Sequence, residues 1–161
     1  MPLIDLRFAG RPRVIATAVL RGAGGLVLID PGPSSCLPAL EQGLADLGGA
    51  LRDVRLILLT HIHLDHAGAT GTIVARVPEA RVLVHERGAT HMVEPAKLLA
   101  SATRLYGERM DALWGRFEAV PASRVTPLAG GERLDVAGRA VRVAYTPGHA
   151  VHHVAYLDES D

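Results

Sequence analysis

The segment Thr60-His-Ile-His-Leu-Asp-His-Ala-Gly68 gathers three imidazoles and a carboxylate within six residues: His61, His63, Asp65 and His66. Neutral imidazole and carboxylate are good ligands for zinc and similar first-row metals. In an extended or loop backbone, side chains repeat with period two, so His61 and His63 point to the same side. Asp65 and His66 follow where the loop turns into the next helix, and aim at a neighbouring point. Four donors are too many for one metal that must also hold water, and suit two adjacent sites. The competing reading makes them surface or capping residues, with Asp65 as the N-cap of a helix starting near Ala67. Three histidines plus an aspartate at the end of one apolar strand favour the metal.

The elements around this segment follow an α/β pattern. The run Val-Arg-Leu-Ile-Leu-Leu at 54–59 shows little alternation, which suits a strand buried on both faces. Before it, residues 3–8, 14–20 and 26–29 read as short strands, with Gly22-Ala-Gly-Gly25 as a hairpin turn. That glycine turn lacks a Gly-Lys-Ser/Thr ending and opens no helix, so it is not a phosphate loop. Ser34 or Ser35 is expected to cap a helix whose stripe is Leu37, Leu40, Leu44 and Leu47, ended by Gly48-Gly49. After the histidines, a helix over 67–77 and a strand Arg81–His85 are expected. Residues 95–117 form the longest helical stretch, interrupted by Gly107 and Gly115. Residues 134–136, 140–145 and 154–157 return to strands. Strand, helix, strand, helix, strand is an α/β arrangement.

Composition narrows the function classes. The chain of 161 residues is 48% apolar and 21% charged, sufficient for a packed core in one domain spanning 1–161. Seventeen basic residues balance seventeen acidic ones, and all the basic ones except Lys97 are arginine. A zero net charge argues against nucleic-acid and membrane-surface binding. Cys36 is the only cysteine, which excludes an intrachain disulfide and a cysteine zinc cluster. No secretory signal and no membrane-spanning run is visible, so a cytoplasmic location is expected. Cys36 is expected to be a buried, inert thiol, and His85 and His91 to be structural or solvated.

His61-x-His63-x-Asp65-His66 after an apolar strand resembles the signature of the metallo-β-lactamase fold superfamily. Leu26-Val-Leu-Ile-Asp30-Pro-Gly32 resembles that family's earlier strand ending in Asp-x-Gly. Thr146-Pro-Gly-His149 resembles the later strand end that supplies a further histidine. The resemblance covers roughly residues 14 to 157. It implies an αββα sandwich, two mixed sheets packed face to face with helices outside. It implies that His61, His63 and His149 hold a first metal, that Asp65 and His66 contribute to a second, and that Asp30 supports the metal loop. His152 and His153 are then either extra ligands or, as the favoured reading, one of them hydrogen-bonds locally and helps orient the His149 loop. The family's bridging aspartate and final histidine have no counterpart, since Asp158 and Asp161 come too soon after His149. The polar run that follows the last strand reads as the end of a fragment, with strand 154–157 at an edge or paired with a second copy.

The chemistry implied is hydrolysis. A bound metal lowers the pKa of water from about 15.7 to about 7, so hydroxide exists at neutral pH and attacks a carbonyl or phosphorus. Asp65 would orient that nucleophile or shuttle its proton. The substrate is expected to be a small ester, thioester or lactone; Tyr106, Met110, Trp114 and Phe117 either form the core face of their helical stretch or line the substrate pocket. The cofactor is expected to be one or two Zn²⁺, with iron or manganese as alternatives. A mononuclear iron enzyme of the sulfur dioxygenase kind is the rival reading. The other rival is a truncated, inactive metal-binding piece that self-associates.

Overall fold

The computed structural model describes residues 1–159. The core is built on a sheet of six strands in the order β1-β2-β3-β4-β5-β6. Strands β1 (Leu3–Asp5), β2 (Ala16–Gly22) and β3 (Gly25–Ile29) are antiparallel. Strands β3, β4 (Val54–Leu58), β5 (Arg81–His85) and β6 (Val125–Leu128) run parallel. Gly22 pairs with Gly25, so the glycine turn is the expected hairpin. Each parallel step crosses over through helices: α1 (Leu37–Asp46), then α2 (Leu64–Ala67) with α3 (Thr70–Arg76). The last crossover carries α4 (Glu86–Val93), α5 (Ala96–Tyr106) and α6 (Met110–Trp114). A second, antiparallel sheet holds β7 (Arg133–Val136), β8 (Arg139–Tyr145) and β9 (Val154–Asp158).

The two faces of the large sheet bury different partners, as strand alternation requires. Val19, Leu28, Ile57, Val82 and Val84 pack against Leu40 and Leu44 of α1, Ile73 and Val74 of α3, and Met92 of α4. Leu20, Val27, Leu58, Leu83 and Leu128 pack against Val136, Val141, Val143 and Val154 of the small sheet. Three layers of the expected αββα sandwich are therefore present. No described helix contributes to the buried cluster of the small sheet. On that sheet, Glu159 pairs with both Arg133 and Arg142. Strand β9 lies at an edge, as expected.

Several local expectations need correction. Ser34 and Ser35 do not cap α1, whose N-cap is Cys36 with no side-chain bond. Their hydroxyls instead donate to the Trp114 and Arg116 carbonyls and to the Leu113 carbonyl, satisfying the open end of α6. The expected helix 67–77 begins only at Thr70, and a separate short helix, α2, precedes it; between the two the Ala69 N–H donates to the Gly32 carbonyl. Strand 3–8 stops at Asp5, and α4 and β6 are additional elements. The stretch 95–117 breaks at Gly107, φ +53°, and ends at Gly115, φ +65°. Asp158 is ion-paired with Arg139, away from the histidines, and Asp161 lies outside the described residues. Among the described residues no helix is long and apolar enough to cross a membrane.

Candidate metal centre

Strand β4 is enclosed between β3 and β5, with Leu59 continuing it by donating to the Leu83 carbonyl at 2.9 Å. The next residue, Thr60, therefore emerges at the carboxyl edge of the sheet beside the end of β3. There Asp30 sits with φ +52°, a conformation that aspartate tolerates better than most residues. Its carboxylate, 12% exposed, accepts three hydrogen bonds. The Thr60 N–H donates at 2.8 Å, the Thr60 hydroxyl at 2.6 Å and His66 Nδ1 at 2.8 Å. Gly32 follows with φ +77°, and a Cβ there would meet Leu6 Cδ1 at 2.2 Å. Only glycine lets this loop pack so closely, and its N–H donates to the His66 carbonyl at 3.0 Å.

This anchor decides the protonation of His61. The single Thr60 proton goes to Asp30, which as a carboxylate only accepts. His61 Nδ1, 3.0 Å from the Thr60 oxygen, must then carry a proton and donate it. His61 Nε2 is left with a free lone pair. That atom is buried and has no hydrogen-bond partner. A buried acceptor without a partner is uncommon and calls for an occupant. Burial, together with the imidazoles of His66, His63, His149 and His153, pushes the His61 pKa down to about 3. At neutral pH the ring is a neutral ligand.

His63 and His149 complete the group. His63 Nδ1 and His149 Nε2 lie 3.1 Å apart, and one donor nitrogen from each of the three histidines falls within 4.8 Å of the others. Tetrahedral coordination with N–metal bonds of about 2.0–2.1 Å separates ligand nitrogens by roughly 3.3 Å, so the group fits one metal. Burial and the nearby His149 also lower the His63 pKa. The expected convergence of His61, His63 and His149 is thus present.

Asp65 and His66 lie beside this group rather than in it. His61 and His66 ring centroids are 4.0 Å apart, and His66 Nε2 is 3.3 Å from Asp65 Oδ2. Burial opposes a charge on His66, but the hydrogen bonds and charges of Asp30 and Asp65 outweigh it and raise its pKa to about 9. Burial likewise opposes ionisation of Asp65, and the His66 hydrogen bond overcomes it, holding the carboxyl below the usual range. The N-cap of α2 is His63, so Asp65 is not the helix cap. Its carboxylate, 42% exposed, faces His66.

His149 arrives on the loop between β8 and β9. His153 Nδ1 lies 2.8 Å from the Thr146 hydroxyl, and the Thr146 N–H donates to the His153 carbonyl at 3.0 Å. The Tyr145 hydroxyl donates to the Val151 carbonyl at 2.9 Å. These bonds close the loop on itself, so His153 takes the local role expected of one of His152 and His153. His152 Nδ1 is buried without a partner, and its pKa is pushed down to about 4 by burial and by the nearby His63. His85 accepts from the Arg87 N–H at 3.1 Å and so caps α4. Cys36 is buried, and burial raises its thiol pKa.

A cleft of about 680 Å³ opens onto His63, Asp65 and His149. Of the four candidate lining residues, Tyr106 and Trp114 line it, while Met110 and Phe117 pack behind in the Trp114 cluster. Sequence reasoning missed Thr60, whose only signal was its position before the first histidine.

A sequence model described as the metallo-beta-lactamase superfamily matches residues 10–161. The metallo-beta-lactamase fold-containing protein ST1585 of Sulfurisphaera tokodaii is 30% identical over 149 residues, covering 91% of this chain and 54% of that protein. A hydroxyacylglutathione hydrolase of a Synechococcus species is 33% identical over 124 residues, covering 77% of this chain and 36% of that one. Among solved structures, the metallo-beta-lactamase family protein TTHA1429 of Thermus thermophilus superimposes with a TM-score of 0.72 at 36% identity. That match covers 90% of this chain and 51% of TTHA1429. The chain thus spans about half the length of ST1585 and TTHA1429. A family match over nearly all its residues, together with the histidine centre at the strand ends, shows that this chain belongs to the metallo-beta-lactamase superfamily.

Proposed function

We propose that the protein is a metal-dependent hydrolase of small esters, thioesters or lactones, with zinc as its metal. The buried, unpartnered Nε2 of His61 carries this reading, because His61 is grouped with His63 and His149, which line an open cleft. When bound, the metal would supply a Lewis acid that acidifies water and polarises a carbonyl. His61, His63 and His149 would hold it, and Asp65 and His66 would contribute to a second ion.

The chain's own residues then divide the work. Asp30, through Thr60, holds His61 in the tautomer that presents Nε2. Asp65, ionised and next to the three histidines, accepts the proton of the attacking water. The proton passes to the leaving alcohol or thiol as the carbonyl–oxygen or carbonyl–sulfur bond breaks. In the absence of a second ion, His66, clamped by Asp30 through Nδ1, holds the Asp65 carboxylate through Nε2. The apolar side chains of Leu98, Leu105 and Trp114 favour a partly apolar acyl group.

The test joins metal content to turnover. Protein prepared without added metal is expected to contain zinc and to hydrolyse members of a panel of thioesters, lactones and β-lactams. Asp65→Asn preserves shape and is expected to keep the first metal while lowering turnover by about 10²–10⁴-fold. Parent-like turnover in Asp65→Asn would remove its catalytic role. Iron in the preparation, with oxygen consumption, would replace hydrolysis by an oxidative reaction.

A further inference from the structure

The cleft has two chemically different walls. One is the metal centre. The other is built from α4 and α5, and its charged residues are cationic. Arg87 and His91 lie four residues apart on α4, and Lys97 and Ser101 lie four apart on α5. That spacing puts each pair on one helix face, and all four residues line the cleft. Asp65, at the candidate metal centre, is the only carboxylate on the cleft lining among the described residues. Among the described residues, neither Arg87 nor Lys97 has a carboxylate within ion-pair distance. Lys97 is also the one lysine of the chain.

Arg87 is pre-positioned. Its guanidinium carbon lies 5.9 Å from the centre of the Tyr145 ring. Tyr145 is stacked on buried His85 at 4.5 Å and is tied through its hydroxyl to the Val151 carbonyl. A guanidinium resting on an aromatic face keeps its N–H edge free for an oxyanion, and less side-chain freedom is lost on binding. Leu98, Ala102 and Trp114 line the same cleft and supply apolar surface.

We propose that Arg87 and Lys97 form an anion subsite, and that the substrate is an acyl compound with an apolar body and a negatively charged far end. The charge is a carboxylate or a phosphate, which share the acceptor chemistry these two cations recognise. This deepens the hydrolase reading and rests on it for the word substrate, whereas the subsite itself stands on the two cations and the cleft.

Binding and turnover test the two separately. Three non-hydrolysable hexanamides, ending in methyl, carboxylate or phosphate, are titrated into the metal-free and the zinc-loaded protein by calorimetry. At least one anionic amide is expected to bind about tenfold more tightly than the methyl one, the size of one charge-assisted contact. The tighter of the two identifies the source of the charge. The preference should shrink as salt rises from about 0.1 to about 1 M, where the screening length falls from about 10 to about 3 Å. Lys97→Gln and Arg87→Gln should each reduce it several-fold, and Lys97→Arg should retain it, with circular dichroism confirming the fold. Equal affinities for all three amides, or a preference unchanged in the Lys97→Gln, Arg87→Gln double variant, overturn the subsite. The matching thioesters give the second arm. Hydrolysis at equal kcat/KM for charged and neutral acyl groups overturns the subsite and leaves the hydrolase standing. Charge-selective binding with no hydrolysis of any thioester leaves the subsite standing and removes the hydrolase.

Discussion

Two loops deliver histidines to one point, and they are held by different means. The loop after β4 is fixed from below. Asp30 takes three hydrogen bonds from Thr60 and His66 in a nearly closed environment, and the backbone of Gly32 locks onto His66 and Ala69. The loop before β9 is fixed mainly by itself, through Thr146 with His153 and Tyr145 with Val151, and His149 is exposed. Among the described residues its one backbone tie to the other loop is the Val154 N–H donating to the Thr60 carbonyl at 2.9 Å. The first loop is therefore preorganised as a half-site, and a bound metal would add ligand bonds to the few contacts that join the second loop to it. Buried hydrogen bonds to a carboxylate resist opening, whereas exposed ones compete with water.

Removing the central donor should have the largest effect. His61→Ala takes away the buried nitrogen and is expected to abolish most bound metal, measured by plasma emission on dialysed protein. His149→Ala, which removes the exposed donor, should weaken binding less. Equal losses in the two variants would erase the contrast between the loops.

Asp30→Asn should come next. Asparagine keeps the backbone conformation and one acceptor oxygen, but its amide nitrogen cannot accept from Thr60 or His66. Loss of such an orienting partner typically costs about 10–100-fold in metal affinity. The same variant carries a pH signature in the metal-free protein. The folded pKa of His66, raised to about 9, lies above its ordinary 6.5. The folded state therefore binds the proton more tightly, and this contribution to stability is complete below pH 6.5. It is lost as pH rises toward about 9. Urea denaturation of the parent between these limits should show the decline, and Asp30→Asn should flatten it. A parent curve that rises over this interval would contradict the clamp.

The smallest effect is expected at the second loop. Thr146→Val removes the hydroxyl that His153 bonds, and should weaken metal binding only a few-fold, because the backbone bond between the same two residues remains. A loss as large as that of Asp30→Asn would show that the His149 loop depends on its side chains as much as the first loop does.

Much of the site was legible in order along the chain. The apolar run ending at Leu59 could only be an interior strand, and period two then placed His61 and His63 on one side. Residue types alone pointed to a group that could hold a metal, because three imidazoles and a carboxylate have few other reasons to crowd a strand end. The α1 stripe was readable too, apart from Leu47, which lies past the helix end and is 39% exposed. What local pattern could not supply was every contact across long sequence separation. Ser34 and Ser35 looked like caps for the helix that follows them, yet they satisfy carbonyls some eighty residues away. The tautomer of His61 depends on Asp30, thirty residues earlier than Thr60, and that bond exists only because β3 and β4 lie side by side. Nothing in the local pattern set Arg87 and Lys97 apart, and it is the placement of α4 and α5 that brings both to one cleft. Spacing within an element fixes which side chains share a face. Which faces then meet is set by burying the apolar residues of all the elements at once, and only the folded chain carries that information.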